Sequence, residues 1–269
     1  MATRRRLDAE LVRRGLVPSR EAASEAVAAG SVLVAGSVAT KPSRLVAPGE
    51  PVVLTGPGRL FASRGGEKLD PVLDRLGIQV AGRRCLDAGA STGGFTDVLL
   101  KRDAAAVVCV DVGYGLLDLR LRDDPRVTVL DRTNVRTLDP ALAGDPADLV
   151  VADLSFISLV TVLESLAAVA RPGADLLPMV KPQFEVGRGA VRRGVVRDPA
   201  LWGAAVTRVA EAAAGLGLGV AGIAPSPKPG PAGNVEFFVH LRDDAPPLDQ
   251  ALVEAAVTEG ATLRPGARA

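Results

Sequence analysis

The stretch CLDAGASTGGFTDVLL, residues 85–100, decides the fold class of this 269-residue chain. An apolar run ends at Asp87, a turn with Gly89, Gly93 and Gly94 follows, and a helix-like segment comes next. Glycine lets a backbone approach a ligand closely, and the first amides of a helix have no partners within it. The pattern therefore predicts a strand, a ligand-binding turn and a helix.

The spacing of this turn, G-x-x-x-G-G, narrows the choice of ligand. It differs from the G-x-G-x-x-G of dinucleotide enzymes and from the phosphate loop G-x-x-x-x-G-K-[ST]. An acid at the strand end before such a turn suits a nucleoside with a carboxylate-bearing tail, as in S-adenosylmethionine. Ser91 and Thr92, between the glycines, belong to the same candidate cofactor site.

Acidic and amide side chains also end the next two strand-like runs. Asp111 follows the first run, and Asp131 with Asn134 follows the second. We expect Asp111 to hold the ribose hydroxyls of the cofactor, and Asp131 and Asn134 to meet its adenine. A single acid of this kind would be an ordinary turn former, but three at successive strand ends favour cofactor binding.

Strands alternate with helices from residue 66 onward, which predicts an α/β fold with a doubly wound, Rossmann-like parallel sheet. We expect this domain to cover residues 66–245, with a C-terminal helix and tail at 246–269. Residues 1–58 have two short helices and short β-like runs, which predict a small α+β domain. Residues 59–65 would be the linker.

Composition excludes several classes of protein. Cys85 and Cys109 lie in apolar runs, and His240 is the only histidine, so neither a disulfide framework nor a metal site is expected. The N-terminus has no apolar signal segment, and the longest apolar stretch is interrupted by Asp153 and Glu164. We therefore expect a cytoplasmic protein with no membrane or metal partner.

Charge is unevenly distributed along the chain. Residues 1–68 hold eleven Lys or Arg side chains against six Asp or Glu, although the net charge of the whole chain is only +1. A basic front domain indicates an anionic partner such as a nucleic acid.

Lysine is scarce, with five residues against 27 arginines, and only lysine can readily lose its proton. Lys181 ends an apolar run that would partly bury its amine and favour the neutral form. Asp153 ends the preceding strand, Glu236 lies in the last one, and Lys68 lies in SRGGEKLD, residues 63–70. Each could be a solvated surface charge, but together they offer two amines and two carboxylates to one sheet edge.

Several blocks together resemble the TlyA/haemolysin A family of ribosomal RNA cytidine 2′-O-methyltransferases, which is related to the FtsJ-type RNA ribose methyltransferases. Residues 5–43 resemble the S-four-type RNA-binding domain. SRGGEKL, LDAGASTGGFTDVLL, DVGYG, ADLSFISL, VKPQFEVG and GNVEFF resemble blocks of the catalytic domain. One departure is Phe61-Ala62, where a larger aromatic residue followed by valine is expected.

The resemblance implies methyl transfer from S-adenosylmethionine to a cytidine 2′-hydroxyl of 16S rRNA, 23S rRNA or both. It implies a catalytic tetrad of Lys68, Asp153, Lys181 and Glu236, in which Lys181 deprotonates or polarises the hydroxyl. Asp153 would also belong to the cofactor site. The arginines of the front domain would bind RNA phosphates; they are Arg4, Arg6, Arg13, Arg14, Arg20 and Arg44.

Two alternatives stay open at this point. The chain could be a ribosome-binding or assembly factor in which cofactor binding is only structural. It could also be a membrane-active haemolysin, as the older family name suggests, although no membrane span is visible in the sequence.

Overall fold

The computed structural model of the chain describes residues 4–55, 60–187, 189 and 191–264. It divides into two compact units, Met1–Leu60 and Phe61–Ala269. No helix of the described residues is both long and apolar enough to cross a lipid bilayer.

The N-terminal unit combines two helices with short strands. The strands are β1 (Arg5–Arg6), β2 (Val32–Val34), β3 (Ser37–Val38), β4 (Leu45–Val46) and β5 (Val52–Leu54), and the helices are α1 (Leu7–Arg13) and α2 (Arg20–Ala28). Strand β1 pairs with β4, and β2 lies between β3 and β5. Ser19 caps α2, because its Oγ accepts a hydrogen bond from the backbone amide of Ala22 at 3.1 Å. The side chains of Leu7, Leu11 and Val27 are buried between these elements.

The C-terminal unit alternates strands and helices. Its strands are β6 (Arg84–Ala88), β7 (Ala106–Val110), β8 (Val127–Leu130), β9 (Ala147–Ala152), β10 (Ala170–Val180), β11 (Gly219–Pro225) and β12 (Phe237–Arg242). Its helices are α3 (Arg64–Arg75), α4 (Gly94–Lys101), α5 (Leu119–Arg122), α6 (Pro140–Ala143), α7 (Leu163–Ala168), α8 (Pro182–Glu185), α9 (Pro199–Ala214) and α10 (Gln250–Thr262). Val135–Thr137 and Leu159–Thr161 form short 3₁₀ helices.

The seven strands form one sheet in the order β11-β12-β10-β9-β6-β7-β8. Alternate residues of β6 enter different core clusters, Cys85 on one face and Leu86 on the other, so both faces are buried, as in the predicted doubly wound fold. One strand departs from the predicted parallel direction, since β12 runs antiparallel to both of its neighbours. Residues 226–236 contain no crossover helix, so the chain returns beside β11 in the opposite direction.

Helix α3 begins earlier than the sequence suggests. Ser63 caps it through a 3.2 Å hydrogen bond from the amide of Gly65, and Arg64 is already helical. The last two residues of the expected linker 59–65 therefore belong to this helix. Lys68 consequently lies inside a regular helix, where its direction is fixed.

Glycines allow α3 to pack closely against its neighbours. A Cβ atom on Gly66 would overlap the ring of Phe61, and one on Gly94 would lie 2.9 Å from the backbone nitrogen of Gly66. Phe61 is buried, and the amide of Ala62 donates a 2.7 Å hydrogen bond to Oδ2 of Asp97 in α4. The Phe61-Ala62 segment is thus built into the larger unit.

Candidate active site

The four predicted catalytic side chains come from elements that meet at one edge of the sheet. Asp153 directly follows β9 and Lys181 directly follows β10. Glu236 directly precedes the antiparallel β12, and Val180 and Phe237 are paired in neighbouring strands. Because strands in register lie about 5 Å apart, Lys181 and Glu236 leave the sheet side by side.

Lys68 of α3 reaches Glu236 at this edge. Its Nζ donates to Oε2 of Glu236 at 2.6 Å, and both side chains are buried, with 8% and 1% of their surface exposed. A Cβ on Gly230 would lie 2.5 Å from Oε1 of Glu236, so the surrounding loop packs tightly on the carboxylate. Two buried opposite charges at this distance hold each other in a fixed place.

Lys181 forms the second pair. Its Nζ lies 2.6 Å from Oδ1 of Asp153 and donates a 2.9 Å hydrogen bond to the hydroxyl of Ser155. The side chain of Lys181 is 9% exposed, whereas that of Asp153 is 22% exposed. Ser155 was missed by the sequence analysis; its position two residues after Asp153 in ADLSF was the available signal. The pair and the serine together fix the direction of the amine.

A cleft of about 360 Å³ opens at the same edge. Five of the predicted cofactor residues line it, namely Gly89, Ser91, Asp111, Asn134 and Asp153, and so does Ser155. Its apolar lining comes from Val110, Val112, Leu116, Val135, Leu154, Phe156, Ile157 and Val162. A mostly apolar cleft with a few convergent polar groups suits a nucleoside cofactor.

Asp111 organises the mouth of this cleft. Its carboxylate accepts hydrogen bonds from the backbone amides of Ser91, at 2.8 Å, and Gly113, at 2.7 Å. Ser91 has a φ of 48°, which is uncommon for a residue other than glycine and typical of functional turns. Two oxygens held by backbone donors leave lone pairs that could accept ribose hydroxyls.

The other predicted cofactor residues lie around the cleft without lining it. Asp131 accepts a 3.2 Å hydrogen bond from the amide of Gly115 and lies 3.4 Å from Arg122. The backbone carbonyl of Thr92 accepts a hydrogen bond from the backbone amide of Asp118. Gly93 and Gly94 also lie outside the lining, and a Cβ on Gly93 would overlap Leu121.

The turn glycine at the cleft itself is Gly89. Its φ is 84°, and a Cβ there would lie 2.6 Å from the carbonyl oxygen of Asp153. A larger residue would push the first turn of the cofactor site away from the strand that carries Asp153.

Asp87 is fully buried beneath the turn. The hydroxyl of Thr96 donates to its Oδ2 at 2.6 Å, whereas Oδ1 has no hydrogen-bond partner. Burial raises the pKa of Asp87 to about 7, and the negative charges of Asp153 and Asp111 add to this effect. A buried carboxylate with a free oxygen beside two other acids fits a site for a positively charged ligand such as a sulfonium.

Phe156 is a site residue that the sequence analysis missed. Its side chain is 91% exposed at the cleft, with a φ of 65°, and its ring lies 5.3 Å from that of Phe184. A positive φ is rare for a bulky residue, so the fold holds this aromatic ring in solvent at a conformational cost. The aromatic residue after Asp-Leu-Ser was the only signal in the sequence.

The arginines predicted to bind RNA are mostly paired with two buried carboxylates. Asp8 is 2.8 Å from Arg6 and 3.0 Å from Arg20. These guanidinium groups hold the pKa of Asp8 well below its usual range, Arg6 contributing most. The outer faces of Arg6 and Arg20 stay accessible, with 49% and 61% of the side chain exposed.

Glu10 is the second buried carboxylate, and it pairs with Arg13 and Arg14. It lies 2.6 Å from Arg13 and 2.8 Å from Arg14, and these lower its pKa to about 2. Arg44 is 3.5 Å from Glu50, and Arg4 is exposed. The acids spaced among the arginines in RRRLDAELVRR were the signal for this pairing.

Comparison with known proteins assigns both units. Residues 61–243 match the FtsJ-like methyltransferase family, and residues 5–52 match the S4 domain. The chain is 53% identical over 270 residues to "16S/23S rRNA (cytidine-2'-O)-methyltransferase TlyA" of Mycobacterium tuberculosis, covering 97% of this chain and 100% of that protein. It is 40% identical over 241 residues to "Putative rRNA methyltransferase YqxC" of Bacillus subtilis, covering 88% and 85%. The solved structure "Putative hemolysin from Streptococcus thermophilus" has a TM-score of 0.79 at 34% identity, over 98% of both chains.

Proposed function

The chain belongs to the FtsJ-like methyltransferase family, within its TlyA group, and we propose that it methylates a cytidine 2′-hydroxyl of ribosomal RNA with Lys181 at the reacting oxygen. The proposed methyl donor is S-adenosylmethionine, bound in the cleft beside Gly89 and Asp111. The observation that carries this proposal is the meeting of two lysine–carboxylate pairs with that cleft at one sheet edge.

The reaction requires a side chain that assists the 2′-hydroxyl in losing its proton. S-adenosylmethionine, when bound, supplies a methyl group on a positively charged sulfur. The 2′-hydroxyl must lose its proton as its oxygen gains the methyl group. A neutral lysine amine beside that oxygen would accept the proton, and a charged one would stabilise the negative charge that develops on the oxygen. Lys181 is the proposed amine, because Asp153 and Ser155 fix its direction and its burial excludes water.

The second pair has a positioning role in this proposal. Lys68 and Glu236 are almost completely buried, and each satisfies the charge of the other. They would hold the Nζ of Lys68 at the same sheet edge as Lys181, where its other N–H donors could orient the ribose and stabilise the developing negative charge on oxygen.

RNA placement falls to two surfaces in this proposal. The S4 domain would bind phosphates through its arginines, which positions the enzyme without reading sequence. Phe156 would stack on the target base, since an exposed aromatic ring beside the reacting groups offers a face to any unstacked base.

The test is methyl transfer to ribosomal subunits prepared from cells without the gene. We expect Lys181→Ala to lower the rate about 10²- to 10⁴-fold while S-adenosylmethionine still binds. Lys101→Ala is the control, because Lys101 is also ion-paired, to Asp97, but is 48% exposed on α4. Equal methylation by wild type and Lys181→Ala would contradict the catalytic role. Rescue of a deletion phenotype by Lys181→Ala would instead support an assembly factor.

A further inference from the structure

A tight hairpin at residues 192–195 presents arginines close to the active site. The amide of Arg192 donates to the carbonyl of Val195 at 3.1 Å, and the reverse bond is 3.0 Å. Arg193 and Gly194 at its tip have φ values of 51° and 78°. Two central residues with positive φ are the mark of a type I′ turn, which usually has asparagine, aspartate or glycine at its first position. Arginine there is held in an unfavourable conformation.

Asn234 fastens this hairpin to the body of the domain. Its side chain, 2% exposed as a residue, donates to the carbonyl of Gly194 at 2.8 Å and accepts the amide of Val196 at 2.9 Å. The indole nitrogen of Trp202 in α9 donates to the carbonyl of Val196 at 2.9 Å. Three hydrogen bonds, two of them buried, therefore hold this loop in place.

The same anchor places the hairpin near the catalytic groups. Asn234 lies two residues before Glu236, so their Cα atoms are at most about 7 Å apart. The hairpin backbone is hydrogen-bonded to Asn234, which puts it roughly one side-chain length further away. The hairpin is therefore linked to Glu236 through Asn234, which bonds to Gly194 and lies two residues earlier in the chain.

The charge of this element is not compensated locally. Arg192, Arg193 and Arg197 are all exposed, and within the described residues none of them lies within ion-pair distance of a carboxylate. Many arginines on the rest of the chain are paired, for example Arg126 with Asp124 at 2.8 Å. Guanidinium groups without carboxylates keep all their donors for an outside anion, and phosphate is the anion that a methylated RNA provides.

We propose that the hairpin with Arg192 and Arg193, together with Arg197, is a second RNA-binding element, which grips the phosphates flanking the target nucleotide. This inference rests on the proposed function, since it takes ribosomal RNA as the partner. It adds a contact in the catalytic domain itself, separate from the S4 domain. The S4 domain would recruit the RNA, and the hairpin would hold its backbone beside Lys181.

The decisive variant is Arg193→Gly. Glycine adopts positive φ without strain, so this change should leave the thermal midpoint of unfolding at or above that of wild type. If Arg193 binds a phosphate, affinity for ribosomal subunits falls about three- to tenfold, and the slope of log Kd against log salt becomes smaller by about one. Arg193→Lys should retain most of the affinity, because it keeps the charge.

Arg171→Gln is the matched control. Arg171 is an exposed arginine on β10, paired with Asp148 and about 30 Å along that strand from Lys181, so its loss changes the net charge equally but far from the site. Binding should be measured with small and large ribosomal subunits from cells without the gene, and affinity for S-adenosylmethionine should not change in any variant.

The outcomes separate the two proposals. If wild type neither binds nor methylates the subunits, the proposed function is wrong. If wild type methylates them and Arg193→Gly, alone and combined with Arg192→Gln, matches its Kd and its salt slope, the hairpin is not an RNA-binding element. If Arg193→Gly loses only as much affinity as Arg171→Gln, the loss comes from net charge and the hairpin is not an RNA-binding element.

Discussion

Lys68 and Glu236 are separated by 168 positions in the chain, yet the Nζ of one lies 2.6 Å from Oε2 of the other in a buried pair. Replacing one partner leaves the other charge buried and unpaired, which costs about 3–5 kcal/mol of unfolding free energy. We therefore expect Lys68→Met and Glu236→Leu each to be strongly destabilised in urea unfolding, and the double variant to regain much of that loss. Methyl transfer should stay absent in all three.

The control for this pair is a second pair from the same helix. Arg75 of α3 contacts Glu259 of α10, and both side chains are more than 40% exposed. Breaking it with Arg75→Gln should cost no more than about 1 kcal/mol and leave methyl transfer intact. An active Lys68→Met enzyme would show that Lys68 has only a structural role.

Asp87 predicts a dependence of stability on pH. Burial raises its pKa to about 7 in the folded chain, whereas an unfolded aspartate titrates near pH 4. The folded state therefore binds more protons between these values. Neutral Asp87 therefore contributes at most ~4 kcal/mol to the free energy of unfolding. This contribution is complete below about pH 4 and is lost as the pH rises through 7.

Asp87→Asn removes this titration while keeping the shape of the side chain. Without cofactor, we expect the variant to gain stability relative to wild type from pH 5 to pH 8, measured by urea unfolding. Asp74→Asn is the control: Asp74 is paired with Arg102, which lowers its pKa, so its titration lies below this range. Parallel stability profiles of wild type and Asp87→Asn would show that Asp87 does not titrate there.

The sequence predicted the parts of the site that depend on local pattern. Asp153 and Lys181 were identified because each follows an apolar strand, and parallel strands end at the same edge. Gly89 was identified because a close turn requires it. The residues themselves suggested that Lys68 and Glu236 lie at the same sheet edge, and the resemblance to a family supplied their roles in a tetrad.

Other features depend on tertiary contacts and could not be deduced from spacing. The start of α3 had a signal in the sequence, the N-cap Ser63, but the close packing of this helix against Phe61 and Gly94 is a tertiary contact that helix propensity does not describe. The antiparallel direction of β12 follows from the absence of a crossover helix before it. The exposed, positive-φ conformation of Phe156 is imposed by the surrounding loop, and sequence alone would have predicted a buried phenylalanine.

Removing the charge of Asp8 should weaken RNA binding, although net charge alone predicts the opposite. Asp8→Asn makes the S4 domain more basic, so a purely electrostatic view predicts tighter RNA binding. If Asp8 instead holds Arg6 and Arg20 in place for phosphate, the two side chains become mobile, and we expect affinity for ribosomal subunits to fall about tenfold. Glu21→Gln changes the charge by the same amount at an exposed position of α2 and should bind at least as tightly as wild type.

A double-mutant cycle separates this effect from poor folding. Arg20→Gln should weaken RNA binding in the wild type but much less in the Asp8→Asn background, because the arginine has already lost its fixed position. Thermal unfolding of each variant shows whether the domain is intact. Tighter binding by a folded Asp8→Asn protein would mean that its carboxylate only opposes the RNA.

Phe156 gives the clearest separation of stability from activity. Its ring is 91% exposed, and its φ of 65° is unfavourable for phenylalanine, so Phe156→Gly should raise the unfolding free energy by about 0.5–1 kcal/mol. If the ring stacks on the target base, the same variant loses about 1–3 kcal/mol of transition-state stabilisation. Its kcat/KM then falls roughly five- to 150-fold. Phe156→Tyr keeps an aromatic face and should stay near wild type, whereas Phe156→Leu should not. Full activity of Phe156→Gly would show that the ring does not contribute to catalysis.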